Sequence, residues 1–352
     1  MLEQAALETE VRAARDVEAV ASAADRIRDR LQRLHDEGTA ADAITGLVTG
    51  LNDLVTVRLL ELLGAADALR AAGACWIGLG SAGRGEQTLA TDQDNAIVFA
   101  DAPHPDGRRT TLAPLAGEVN LALDRCGYPL CRGEIMAGNP RWCLAWSEWR
   151  ERFAGWIERP EPQALLNAAI FFDFRAVHGD RASVARLREW LAAYAADRGR
   201  FLFLMVQNAL QNGPPLGLLR DFTLASGGEH PGTVDLKVNG VQLFVEAARI
   251  YSLAAGVTAT GTLERLAAAA RVRGIPDIEV EGWQEAFRFL QLVRLRLNAA
   301  QRARGEALHN HLNPGDLDEP DRRALKDALR QARKLQTRLA RDFGVPGAGF
   351  GA

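Results

Sequence analysis

Residues 78–95, GLGSAGRGEQTLATDQDN, set a run of small residues ahead of two aspartates that flank one glutamine. Residues two apart on an extended chain point the same way, so Asp92 and Asp94 present two carboxylates on one side while Gln93 faces the other. Paired carboxylates of this kind suit Mg2+, a hard ion that takes oxygen ligands and shares its remaining positions between water and substrate phosphates. Glycines at 78, 80 and 83 let backbone N–H groups approach a triphosphate, Ser81 adds a hydroxyl, and a helix starting near Gly83 would offer its N-terminal dipole. These are the parts of a nucleotidyl-transfer site, where one or two Mg2+ ions clamp the attacking and leaving oxygens while the loop holds the departing pyrophosphate. An Asx-rich turn ahead of a strand is the plainer account. It explains either aspartate singly but not the glycine loop before them.

Gly78, Gly80 and Gly83 also satisfy G-x-G-x-x-G, the dinucleotide fingerprint. That site needs a full helix returning the chain to the next strand, with an acid about 20 residues past the glycines. The next strand-like run begins at Asn95, which leaves room for about two helical turns. The spacing argues against a dinucleotide site.

The elements that must hold these residues are α/β in texture. ACWIGLG and NAIVFA read as short strands, TLAPLAGEVNLALDRCG as an amphipathic helix ending at Gly127, and YPLCRGEIM as a third strand. Residues 1–70 read as helical, with apolar positions from Leu31 to Leu60 at helical spacing and a break at DEGTA, 36–40, between two antiparallel helices. After Pro140 the chain becomes helical again, and PQALLNAAIFFDFRAVHG is read as one such segment. A Gly/Pro-rich stretch at 213–240 could hold a hairpin, four further helical segments run to Phe343, and GVPGAGFGA reads as a frayed tail. Trp142, Trp146, Trp149 and Trp156 form one aromatic stripe at helical spacing, a core seam in the plain reading and a base-stacking surface in the sharper one.

Composition sets the bounds. A chain of 352 residues, 47% hydrophobic and 25% charged, is long enough for two or three domains. Its net charge of −3 supplies no long-range attraction to nucleic acid or to an anionic membrane surface. The arginines of RLRLNAAQRARGE, 294–306, read as the wet face of a helix and not as a nucleic-acid site. The longest apolar stretches, such as ALLNAAIFF and FLFLMV, fall short of the ~20 residues that span a bilayer, so no membrane partner is expected. The acidic, helical N-terminus lacks a secretion-signal pattern, which points to the cytoplasm. Four cysteines without CxxC spacing read as buried thiols. His35-Asp36, and His309 with His311, each lack the further ligands a metal site needs.

With these residues on the page, GSAGRGE followed by TDQDN resembles the nucleotidyltransferase superfamily pattern of a hydrophobic-Gly-Ser loop, a short helix and then Asp-x-Asp. The chain resembles the nucleotidyltransferases related to the N-terminal domain of bacterial protein-PII uridylyltransferase, a group often found fused to CBS and cyclic-nucleotide-binding modules. GYPLCRGEIMAGNPRWC, WSEW, FFDFRAVHGD, VDLKVNGVQLFVEAARIYSLAAGV and TLERL carry the similarity along nearly the whole chain. The resemblance implies an α+β fold: a nucleotidyltransferase-type α/β domain with a mixed sheet at 71–140, an N-terminal helical hairpin at 1–70, and a helical substrate-binding bundle at 141–352. The cleft between bundle and α/β domain is the expected active site.

The same resemblance implies phosphate contacts from Gly80, Ser81 and Gly83, Mg2+ ligands in Asp92 and Asp94, and a phosphate loop completed or braced by Arg84 and Glu86. Arg84 could equally form an ion pair, and Glu86 could be a helix N-terminal acid. Lys237 in VDLK is a candidate nucleotide or substrate contact, with Asp235 orienting it. Superfamily members carry a third catalytic carboxylate on the strand after the connecting helix. Here Cys131 stands where that acid is expected, which leaves Glu134 and Asp173 as candidates, the latter also a possible buried partner for Arg175. The implied activity is transfer of NMP from UTP or ATP to an acceptor hydroxyl, on a regulatory protein in bacterial signal transduction. The alternative is a catalytically weak or inactive nucleotide-sensing module.

Overall fold

The computed structural model describes residues 2–36, 41–217 and 222–346. The break at 37–40 and the tail from 347 lie outside the described residues, as do the side chains of His35 and Asp36. Contacts divide the chain into two compact units. The first comprises Met1–Thr39, Ala43–Trp156 and Leu166–Leu191, and the second comprises Ala40–Asp42, Ile157–Leu165 and Ala192–Ala352.

The first unit is built on a four-stranded mixed sheet in the order β3-β2-β1-β4. Helices α1 (Leu2–Ala13), α2 (Val17–Asp36), α3 (Ala41–Leu62) and α4 (Ala65–Ala71) lead into strand β1 (Cys75–Gly78), followed by the short helix α5 (Gly80–Arg84), β2 (Asn95–Phe99) and α6 (Pro105–Arg125). A 3-10 turn at Pro140–Trp142 then enters β3 (Cys143–Ala145), and α7 (Trp146–Glu158) and α8 (Pro162–Phe171) lead to β4 (Arg175–Gly179) and α9 (Arg181–Ala196). The central strands CWIG and NAIVF are buried at every position, which is why both read as continuous apolar runs. β1 pairs antiparallel with β2, from Cys75 opposite Val98 to Gly78 opposite Asn95, and antiparallel with β4 on its other side. Only β2 and β3 run parallel. The antiparallel turn from β1 into β2 excludes the parallel crossover that a dinucleotide site requires.

Three local readings differ from the sequence expectation. YPLCRGEIM is not a strand: residues 128–136 form an irregular loop. FFDFRAVHG does not stay helical, because the apolar run crosses out of α8, turns at Asp173 and becomes β4. Against the expected boundary at 140, the sheet draws β3 and β4 from beyond it, since β2 and β1 each need a partner on their outer edge. The tryptophans are a core seam with one exception. Trp149 is fully buried, stacks near Trp142 and Phe171, and donates its indole N–H to the Ile97 carbonyl of β2 at 2.9 Å. Trp146 instead carries the guanidinium groups of Arg150 and Arg186 on its faces.

Among the described residues α3 is the one helix long and apolar enough to cross a membrane, and 56% of its most apolar stretch is buried. Unbroken apolar runs do not reveal it, because its apolar positions are interleaved with polar ones. Buried Thr45, Thr49 and Asn52 sit on this helix, and Asn52 accepts a bond from Tyr128 at 2.7 Å and donates to Gln87 at 3.2 Å. It is a core helix of the first unit.

The second unit is helical: α10 (Gly199–Ala209), α11 (Gln242–Ala254), α12 (Thr262–Arg273), α13 (Asp277–Ala303) and α14 (Glu319–Asp342). Residues 243–253 of α11 are buried without interruption, so α11 is the centre of the bundle. Within 213–240, of which 218–221 lie outside the described residues, Leu216 and Phe222 form one antiparallel bridge, while β5 (Val234–Asp235) pairs antiparallel with β6 (His311–Leu312), from just before α14.

Candidate active site

Asp92 and Asp94 lie on the extended segment that enters β2, and the alternation works as the spacing predicts. Gln93 turns into the core and donates from Nε2 to the carbonyls of Asn120 at 2.9 Å and Tyr128 at 3.0 Å. Asp92 is exposed and Asp94 half-buried, and their carboxylates come together with the Cys131 sulfur, the ligand atoms all within 4.8 Å of one another. This is the one such group of acidic, cysteine or histidine ligands among the described residues.

Cys131 reaches the acid pair through a backbone and amide frame. The Gln93 N–H donates to the Pro129 carbonyl at 3.1 Å, and the Asn95 N–H to that of Ile135 at 3.2 Å. Asn120 donates to Gln93 Oε1 at 2.8 Å and to Asn95 Oδ1 at 2.9 Å, while the N–H of Ala137 reaches Asn95 Oδ1 at 2.8 Å and that of Gly138 reaches Asn120 Oδ1 at 2.9 Å. All these amide groups are buried and satisfied, so the loop 128–138 is fixed to β2 and α6. Burial, with the Asp94 charge second, pushes the Cys131 thiol up to about 11. All four cysteines are free thiols and buried.

The small-residue loop is held against this group from behind. Gly80 has φ +52, and a Cβ there would lie 3.2 Å from Asp94 Oδ2, so the backbone runs directly over the carboxylate. The Leu79 N–H donates to the Asp94 carbonyl at 2.9 Å. Arg175 of β4 grips Asp53 of α3 with two bonds of 2.7 and 3.0 Å and donates to the Ala82 carbonyl at 3.0 Å. Asp173 is therefore not its partner. Asp173, wholly buried, accepts from Arg84 Nη1 at 2.7 Å, and Arg84 Nε donates to Glu86 at 2.8 Å. Burial opposes the charge on Arg84, but Glu86 and Asp173 outweigh it and hold its pKa above the ordinary value. The three side chains form a buried ion triplet that braces the loop.

Gly83 completes the brace: a Cβ there would sit 1.8 Å from the Asp173 carbonyl oxygen, a distance no side chain tolerates. Gly83→Ala is expected to cost about 3 kcal/mol through forced backbone displacement. Gly85→Ala, where φ is +74 but nothing lies within 4 Å, costs about 1 kcal/mol. Denaturant unfolding of the two variants checks this, and equal losses would contradict the close-packed reading.

The remaining candidates sit elsewhere. Glu134 has φ +55 and closes a turn by donating its N–H to the Cys131 carbonyl at 2.9 Å; its own carbonyl accepts from Trp142 Nε1 at 3.0 Å. Neither Glu134 nor Asp173 joins the ligand group of Asp92 and Asp94. Lys237 is exposed, in the second unit, and Asp235 Oδ1 accepts from its backbone N–H at 2.8 Å, so Asp235 caps the chain there and does not orient the ammonium. Sequence reasoning missed His230, whose ring packs 4.3 Å from those of both His309 and His311. His230 stacks on His311 and is tilted by 40° against His309, and among the described residues the three rings do not form a convergent ligand group. His309 is hydrogen-bonded to Gln301 at 2.9 Å.

Two family models match the chain. One, described as "Putative nucleotidyltransferase DUF294", matches residues 25–163. The other, described as "Putative nucleotidyltransferase substrate binding domain", matches residues 199–343. No curated protein matches it.

Proposed function

Because the chain belongs to the nucleotidyltransferase family that these two models describe, with nucleotidyl transfer from a nucleotide substrate as its general activity, we propose that it moves NMP from UTP or ATP onto an acceptor hydroxyl. The acceptor in this reading is a regulatory protein, as in the protein-PII uridylyltransferase group that the sequence resembles. The observation that carries the proposal is the convergence of Asp92 and Asp94 with a backbone that passes over Asp94 at Gly80.

The donor set fits a divalent cation, Mg2+ by the two carboxylates taken alone. When bound, such an ion offsets the negative charge of the phosphate oxygens and favours attack at the α-phosphorus. Asp92 and Asp94 would hold it. Gly80, Ser81 and Ala82 open α5, where first-turn N–H groups have no acceptor within the helix and are free to receive phosphate oxygens. Ser81 would add its hydroxyl. Arg84, Glu86, Asp173, Arg175 and Gly83 keep these donors fixed so that no reorganisation accompanies the reaction.

Parallel incubations with α-labelled and γ-labelled nucleoside triphosphates, a divalent ion and a candidate acceptor test the proposal. Label from the α-phosphate is expected on the acceptor and label from the γ-phosphate in pyrophosphate; γ-label on the acceptor would sink it. A second reading draws on Asp173 being committed to Arg84 and Glu134 standing outside the acid pair. With no third carboxylate beside the pair among the described residues to accept the acceptor's proton, the unit would bind nucleotide as a sensor. Nucleotide binding without transfer to any acceptor favours that reading.

A further inference from the structure

The third donor beside Asp92 and Asp94 is a thiol, and a thiol ranks metal ions differently from a carboxylate. Cys131 is 9% exposed, and its sulfur stands within 4.8 Å of carboxylate oxygens from both aspartates. It is carried there by the turn that Glu134 N–H closes on its carbonyl and by the Gln93 N–H bond to Pro129. The sulfur is thus placed by fixed backbone and not by the swing of a surface side chain. Mg2+ gains little from sulfur and holds to oxygen ligands and water. Zn2+ and Co2+ accept carboxylate oxygen and thiolate sulfur in one coordination sphere. Cys75, Cys126 and Cys143 take no part in the group, so any thiolate bound there has one origin.

Resting on the function proposed above, we infer that the Asp92–Asp94–Cys131 position takes a borderline-soft divalent cation of the Zn2+ and Co2+ class in preference to Mg2+, with the Cys131 sulfur as a ligand. Mg2+ then belongs with the phosphates of the incoming nucleotide.

Titration of the intact chain with Co2+ under excess Mg2+, followed by near-ultraviolet absorption, reads the sulfur directly. A sulfur-to-cobalt charge-transfer band is expected, and Zn2+ should displace it. Cys131→Ser should abolish the band and weaken Co2+ binding by at least about tenfold. Cys131→Asp should lose the band and gain Mg2+ affinity. A Co2+ complex without the band, or one bound equally well by Cys131→Ser, overturns the inference. If Asp92→Asn with Asp94→Asn abolishes that bandless binding, the carboxylate site and the transferase reading survive and the thiol ligand alone falls. If the band appears yet no ion supports NMP transfer, the metal assignment stands and the transferase reading falls.

Discussion

If Asp94 holds the cation of the proposed reaction, Asp94→Asn is expected to lower the rate of nucleotidyl transfer by about 10³-fold, equivalent to about 4 kcal/mol of transition-state stabilisation. The substitution keeps the shape of the side chain and removes its charge. The Asp94 carbonyl still accepts from the Leu79 N–H, and Gly80 still passes over the side chain, so folding is little disturbed. Stability should therefore stay within about 1 kcal/mol of the parent. Divalent-ion affinity should fall along with the rate, because the carboxylate belongs to the one convergent ligand group among the described residues. Steady-state rates, metal titration and thermal unfolding measure the three quantities separately. A variant that retains more than about a tenth of the parent rate would falsify the placement of Asp94 at the reacting phosphate.

The opposite pattern is expected at Asp173. Asp173→Ala removes one of two carboxylates facing a guanidinium that is itself one-tenth exposed, and breaking a buried pair from one side costs about 3–5 kcal/mol. The loss should appear in denaturant unfolding, while the rate measured well below the unfolding transition changes by less than about tenfold. Replacing Arg84 and Asp173 together by apolar residues should cost less than the two single losses added, because neither charge is then left alone. Strict additivity, or a stable but inactive Asp173→Ala protein, would contradict the bracing role. The two aspartates thus separate chemistry from architecture by which measurement each one moves.

The sequence makes Asp92 and Asp94 legible because extended-chain alternation is local, and it needs only Gln93 between them to set the facing. The helical reading of the C-terminal half and the apolar central strands rest on periodicity and burial in the same way. What escapes is non-local or aperiodic. Cys131 stands where the resemblance expects a third acid, but it arrives on a loop and not on the expected strand, because amides on β2 and α6 hold that segment. Asp173 finds Arg84 across a separation of 89 residues, where no spacing rule applies. β4 is hidden because FFDFRAVHG continues the apolar run of α8, and only the need of β1 for an outer partner makes it a strand. His230 meets His309 and His311 because β5 pairs with β6, a register no sequence periodicity encodes.

Gln93, Asn95 and Asn120 share one chemical property: a carboxamide neither gains nor loses a proton in water's working range. The scaffold that carries the sulfur to the acid pair is consequently blind to acidity. Acid leaves in place the amide frame that presents the sulfur, so any acid inactivation short of unfolding should reverse at once on neutralisation.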